Sequence, residues 1–131
     1  MSFEITQEFT FDCAHFLTGN GRRDEYSAVH GHSFVCAVTV SGLPVDHADW
    51  VVDFAEFKSV LIKIGQQLDH KILNDIPGLE TPTMENICVW IASHVSEWLT
   101  VGIPADQLVK LISVKLMRKT IGQSCVYRLE K

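Results

Sequence analysis

Three histidines and one Asp-His pair carry the chemistry that can be read first. His30 and His32 flank Gly31 in the run HGHSF. On a strand, residues i and i+2 project from one face about 6–7 Å apart, so both imidazoles can reach one ion at about 2.0–2.1 Å. His15 closes the run FDCAH. If that run pairs as a hairpin with the 30–32 region, His15 supplies a third ligand. Three imidazoles with an open fourth position form the pattern of a catalytic zinc, whereas a structural zinc is closed by four ligands. Cys13 shares the His15 face at period two and reads as packing. Asp69 and His70 stand together in LDHK. A carboxylate beside an imidazole can polarise it and set its tautomer. The same His70 also reads as a helix-end residue, held by the dipole. His47 and His94 read as surface or packing residues.

These side chains need elements to position them. Residues 3–17 alternate in polarity, with Phe3, Ile5, Phe9, Phe11, Cys13 and His15 on one face, and predict a strand. A polar loop, TGNGRRDEYSAV, covers 18–29. A second strand is predicted over about 30–43, with His30, His32, Phe34, Cys36, Val38 and Val40 on one face. Asp53 followed by Glu56 reads as a capping box. It opens an amphipathic helix over about 54–68 whose inner face is Phe54, Phe57, Leu61, Ile64 and Leu68. Thr83 caps a second helix, about 84–100, with Ile87, Trp90, Ile91, Val95 and Trp98 inward. Closing strands are predicted over about 109–120 and 124–129, turning around Gly122. The order β-β-α-α-β-β predicts an α+β domain: an antiparallel four-stranded sheet with two helices on one face. The bare face of such a sheet needs cover, which oligomerisation supplies.

The chain has 131 residues, 47% hydrophobic and 21% charged, with a net charge of −5. It reads as one ordinary globular domain spanning 1–131. No basic footprint for nucleic acid is present. No apolar run approaches the roughly 18 residues that cross a bilayer, so no membrane partner is expected. The start, MSFEITQEFT, does not read as a secretory signal, and the expected compartment is cytoplasmic. Four cysteines without a C-x-x-C pair read as free thiols.

The runs FDCAHFL (11–17), HGHSF (30–34), VVDFAEFK (51–58), LDHKILNDIPGLETPTMEN (68–86) and SCVYRLE (124–130) occur in the order found in one family. Together they resemble the 6-pyruvoyltetrahydropterin synthase and 6-carboxytetrahydropterin synthase family. The LDH-to-MEN block is most similar to the bacterial 6-carboxytetrahydropterin synthases of queuosine biosynthesis. The resemblance implies the tunnelling fold. It also implies a homohexamer built as a dimer of trimers, with the active site between subunits. It implies Zn²⁺ on His15, His30 and His32, and catalytic roles for Asp69 and His70 acting with a cysteine. The implied substrate is 7,8-dihydroneopterin triphosphate, a small molecule whose side-chain hydroxyls meet the metal while triphosphate leaves.

Two positions depart from that pattern. The bacterial members set their catalytic cysteine four residues before the first His of HGH. Here Tyr26 stands there, and the 18–29 loop holds no cysteine. A phenol ionises near pH 10 and is a poor base at neutrality. Members with a glutamate instead cleave the side chain to a hydroxymethylpterin, and Glu25 is one residue away. Glu25 also reads as part of a solvated charge cluster with Arg22, Arg23 and Asp24. The second departure is on the penultimate strand, where the family anchors the 2-amino-4-oxo edge of the pterin with a glutamate in a K-E-T-like segment. Counting back from SCVYR aligns Arg118-Lys119-Thr120 with it, so Lys119 takes the glutamate's place; a second register puts Leu116 there. Donors facing donors in a buried pocket cost about 2–5 kcal/mol. Lys119 turned into the pocket therefore predicts a failure of ordinary pterin binding. Three readings follow: a zinc synthase or lyase on a pterin-type substrate, a zinc enzyme whose substrate turns an anionic group to Lys119, and a paralogue that only binds a ligand.

Overall fold

The computed structural model describes residues 2–19, 21 and 23–129. Arg22 of the charge cluster and Glu130 of the SCVYRLE run lie outside them. Strand β1 (Phe3–His15) pairs antiparallel with β2 (His30–Gly42). After two long helices the chain returns as β3 (Val109–Arg118) and β4 (Gln123–Arg128). The sheet order is β1-β2-β3-β4, antiparallel throughout, with β2 and β3 at its centre.

The alternation read from β1 and β2 is the burial observed. Phe9, Phe11, Phe34, Cys36, Val38 and Val40 are buried on one face, while Glu4, Thr6, Glu8, Thr10 and Asp12 are exposed on the other. Helix α1 (Asp24–Ser27) is a single turn inside the β1–β2 loop. Helix α2 (Phe54–Gln66) packs on β1, and α3 (Met84–Val101) packs on β3 and β4. Phe57, Leu61, Ile64 and Leu68 sink into the core, each such side chain stabilising by about 1.5–3 kcal/mol. Gly65 lets α2 come close to β1, because a Cβ there would lie 3.0 Å from the Phe9 ring.

Several expectations are corrected. Phe54 is exposed, since it begins α2 before the helix reaches the sheet. Trp90 and Trp98 only flank the core; Cys88 and Ala92 fill the inner face of α3 beside Ile87, Ile91 and Val95. Asp53 caps α2 by accepting from the Ala55 amide, 2.9 Å away. Among the described residues Glu56 makes no reciprocal bond, so the cap is half of the expected box. Strand β3 stops at Arg118, and residues 119–121 form a 3₁₀ turn closed by Gly122 at φ +68°.

Candidate metal centre and cavity

The β1–β2 register builds the histidine group. His15 stands opposite His30, and Cys13 opposite His32, so all three rings rise on the helix-facing side at the end of the sheet. Their centroids are 4.6, 5.0 and 4.9 Å apart, with interplanar angles of 67°, 85° and 86°. One ligand atom from each ring lies within 4.8 Å of the other two. His15 donates from Nδ1 to the Pro82 carbonyl at 2.8 Å, and His30 from Nδ1 to the Ala28 carbonyl at 2.8 Å. A carbonyl can only accept, so each bond fixes the tautomer and leaves Nε2 with its lone pair free. The Nε2 atoms of His15 and His32 are buried without a hydrogen-bond partner among the described residues. A buried acceptor left unpaired is costly, and a cation among the three rings satisfies both. The donor set therefore fits a metal, and three imidazoles suit Zn, Cu, Fe or Ni.

Protons do not compete well here. Burial lowers the His15 pKa, against the opposing pull of the Pro82 bond. Burial, followed by the Arg118 charge and the other two rings, brings His32 down to about 4. Cys13 is packing: burial raises its thiol to about 12, far from the thiolate that reacts or ligates.

The three rings line one wall of a cavity of about 860 Å³. Glu25 and Tyr26 of α1 line it as well. The α1 turn is tied back by Leu17 N–H to the Tyr26 carbonyl at 2.6 Å, and Glu25 pairs with the Arg23 guanidinium. The turn thus belongs both to the site and to the charge cluster. Lys119 does not line the cavity. It is exposed on the 3₁₀ turn, and Arg118 is the cation that enters. The Arg118 guanidinium lies over the Phe34 ring, 5.5 Å from its centroid, and donates through Nη1 to Gln123 Oε1 at 3.2 Å. Leu116, in the second register, is buried in the core.

Asp69 and His70 form a dyad at the free edge of β1, outside the cavity lining. Asp69 Oδ1 accepts from the Asp12 amide at 2.8 Å, while His70 Nδ1 donates to Asp69 Oδ2 at 2.7 Å. The His70 amide donates to the Asp12 carbonyl at 2.6 Å, so the segment is clamped to the edge of β1. The Asp12 amide, then His70, hold the Asp69 carboxyl below its ordinary range. His70 takes φ +59°, a left-handed backbone that costs a non-glycine residue about 1–3 kcal/mol. Its side chain is 81% exposed. Neither residue lines the histidine cavity of its own chain. His47 is exposed, and His94 packs against the Trp90 ring while bonding to the Trp90 carbonyl. The sequence reading missed Arg118, Gln123, Glu85 and Cys125, which all line the cavity. For Arg118 the signal was present: period two from buried Leu116 puts 118 on the inner face and 119 off it.

An antiparallel α+β subunit that sets three imidazoles into the wall of a cavity defines a class, the tunnelling-fold subunits with a histidine group able to hold a metal. The structure resembles that of Caenorhabditis elegans 6-pyruvoyl tetrahydropterin synthase, with a TM-score of 0.78 at 20% identity, covering 99% of this chain and 97% of that one. The family profile described as 6-pyruvoyl tetrahydropterin synthase matches residues 4–130. The chain belongs to that family. It is 33% identical over 114 residues to the dihydroneopterin monophosphate aldolase of Pyrococcus furiosus, covering 87% of this chain and 90% of the relative. It is 35% identical over 116 residues to the 6-carboxy-5,6,7,8-tetrahydropterin synthase of Synechocystis, covering 82% and 84%. It is an enzyme of the pterin-synthase kind.

Proposed function

We propose that this chain is a zinc-dependent lyase that cleaves the hydroxylated side chain of a 7,8-dihydroneopterin-type substrate. One observation carries the reading: two buried, partnerless Nε2 atoms and a third imidazole converge on a cavity that Glu25 also lines. Zinc, held by His15, His30 and His32, supplies Lewis acidity to side-chain oxygens. Glu25 takes the proton of the 2′ hydroxyl. The C1′–C2′ bond then breaks, its electron pair passing into the C6–N5 imine of the dihydropterin, and C1′ is reprotonated. The products are a 6-hydroxymethyl-dihydropterin and a two-carbon aldehyde, which keeps any phosphate on C3′. Cleavage is favoured over triphosphate elimination because the loop that carries the thiol in the synthases holds a carboxylate and no cysteine. The Pyrococcus relative, a dihydroneopterin monophosphate aldolase, supports this choice. Glu85, at the start of α3, is the carboxylate in the cavity that can accept from the amino edge of the ring. The reading in which an anionic substrate meets Lys119 loses support, since that side chain is outside the cavity. A purely ligand-binding paralogue has no use for a formed Asp69–His70 dyad.

We further propose a homohexamer in which the dyad of a neighbouring copy completes each cavity. Its supports are a dyad that lies outside the lining of its own cavity and a sheet whose outer face on β1 (Glu4, Thr6, Glu8, Thr10, Asp12) is exposed, no helix covering it among the described residues. Among the described residues no helix is long and apolar enough to cross a membrane.

The test is to incubate the zinc-loaded protein with 7,8-dihydroneopterin, its monophosphate and its triphosphate. Hydroxymethylpterin and the two-carbon aldehyde are the expected products. Release of inorganic triphosphate, with the side chain kept as a pyruvoyl group or shortened to a carboxylate, would make it a synthase, and no conversion of any of the three would remove the enzymatic reading. Glu25→Gln should lower kcat about 10²–10⁴-fold with bound zinc unchanged.

A further inference from the structure

A guanidinium is costly to hold half-buried without a counter-charge, yet Arg118 is held so. The ion pairs among the described residues are Arg23 with Glu25 and His70 with Asp69, and neither involves Arg118. Gln123 occupies Nη1, the Phe34 ring lies beneath the guanidinium, and Nε is buried without a hydrogen-bond partner among the described residues. Glu85 lines the same cavity but does not close on Arg118 as an ion pair. The group is thus orientated by neutral neighbours, feels the Glu85 charge without forming an ion pair among the described residues, and lines the cavity. A planar guanidinium with N–H groups to spare suits two oxygens of one oxyanion, taken bidentately.

We propose that Arg118 is the oxyanion-recognising residue of the cavity, and that the ligand bound there carries a phosphate or a carboxylate. This rests on the lyase reading for the pterin frame of the ligand but not for the anion itself. A purely structural Arg118, packed on Phe34, would leave anion discrimination untouched.

The zinc-loaded protein is titrated, by fluorescence, with three unreactive ligands: neopterin, neopterin 3′-monophosphate and 6-carboxypterin. At least one of the two anionic ligands should bind about 10–100-fold more tightly than neopterin, and the one that does identifies the oxyanion. In Arg118→Met the ratio should fall to about one, while Arg118→Lys should recover only part of it. Circular dichroism checks the fold of each variant; if Arg118→Met does not fold, the Lys variant carries the comparison, and an undiminished ratio there overturns the proposal. Equal affinities in the unaltered protein, or a ratio that survives in Arg118→Met, also overturn it. Should dihydroneopterins be turned over with no such ratio, the lyase reading stands and the Arg118 proposal falls. If no pterin binds, pyrophosphate is the probe. A rise in Tm in the unaltered protein that is lost in the Met variant keeps Arg118 and removes the pterin reading; no rise removes both.

Discussion

At the scale of single residues, the site is set by which nitrogen each histidine has free. Backbone carbonyls of Pro82 and Ala28 take the Nδ1 protons of His15 and His30, so the metal-facing lone pairs exist before any metal arrives. His32→Ala should abolish stoichiometric zinc while the circular dichroism spectrum stays that of the parent. Full metal retention would contradict the three-histidine assignment. Asp69 gives a pH prediction. Its carboxyl is lowered by the Asp12 amide and by His70, so the ionised form favours the folded state. That contribution is complete above the unfolded carboxylate value of about 3.9 and fades as pH falls through the lowered folded value. The urea midpoint of Asp69→Asn should lie below that of the parent by a constant amount above about pH 5, and the two should converge in stronger acid. Parallel curves down to the acid limit would show that Asp69 is not held by these bonds.

At the scale of elements, the start of α3 does two things. The Thr83 side chain caps it by accepting from the Asn86 amide at 3.2 Å, while the neighbouring Pro82 carbonyl orients His15. Thr83→Ala should cost about 1 kcal/mol in urea unfolding and also weaken zinc binding. Normal zinc affinity in a destabilised variant would separate the two roles. The strands and long helices were legible because their apolar spacing is regular: His15, His30 and His32 fall on faces that Phe11 and Phe34 already define. The α1 turn was not legible, since four residues are too few to show a period. Counting back from SCVYR points to Lys119 and not to Arg118, because a motif fixes position along a chain but not the face on which a residue emerges. The separation of Asp69–His70 from the cavity was also beyond the sequence, because it depends on the segment after α2 pairing with the free edge of β1.

At the scale of the whole molecule, the dyad and the histidines of one chain do not share a cavity, and the proposed intersubunit site would draw its two halves from two copies. His32→Ala and His70→Ala, each expected to be inactive, should recover up to about a quarter of parental activity when unfolded together and reassembled by random mixing. No recovery in properly sized oligomers would mean that each site belongs to one chain. The sheet itself separates chemistry from support. On the inner face its last wholly apolar cross-strand pair at this end is Phe11 with Phe34; beyond it come Cys13 with His32, then His15 with His30. His30 and His32, half-buried at this rim, can be rewritten with little change to the interior, whereas His15 is buried and bonded to Pro82, so its replacement reaches into the core.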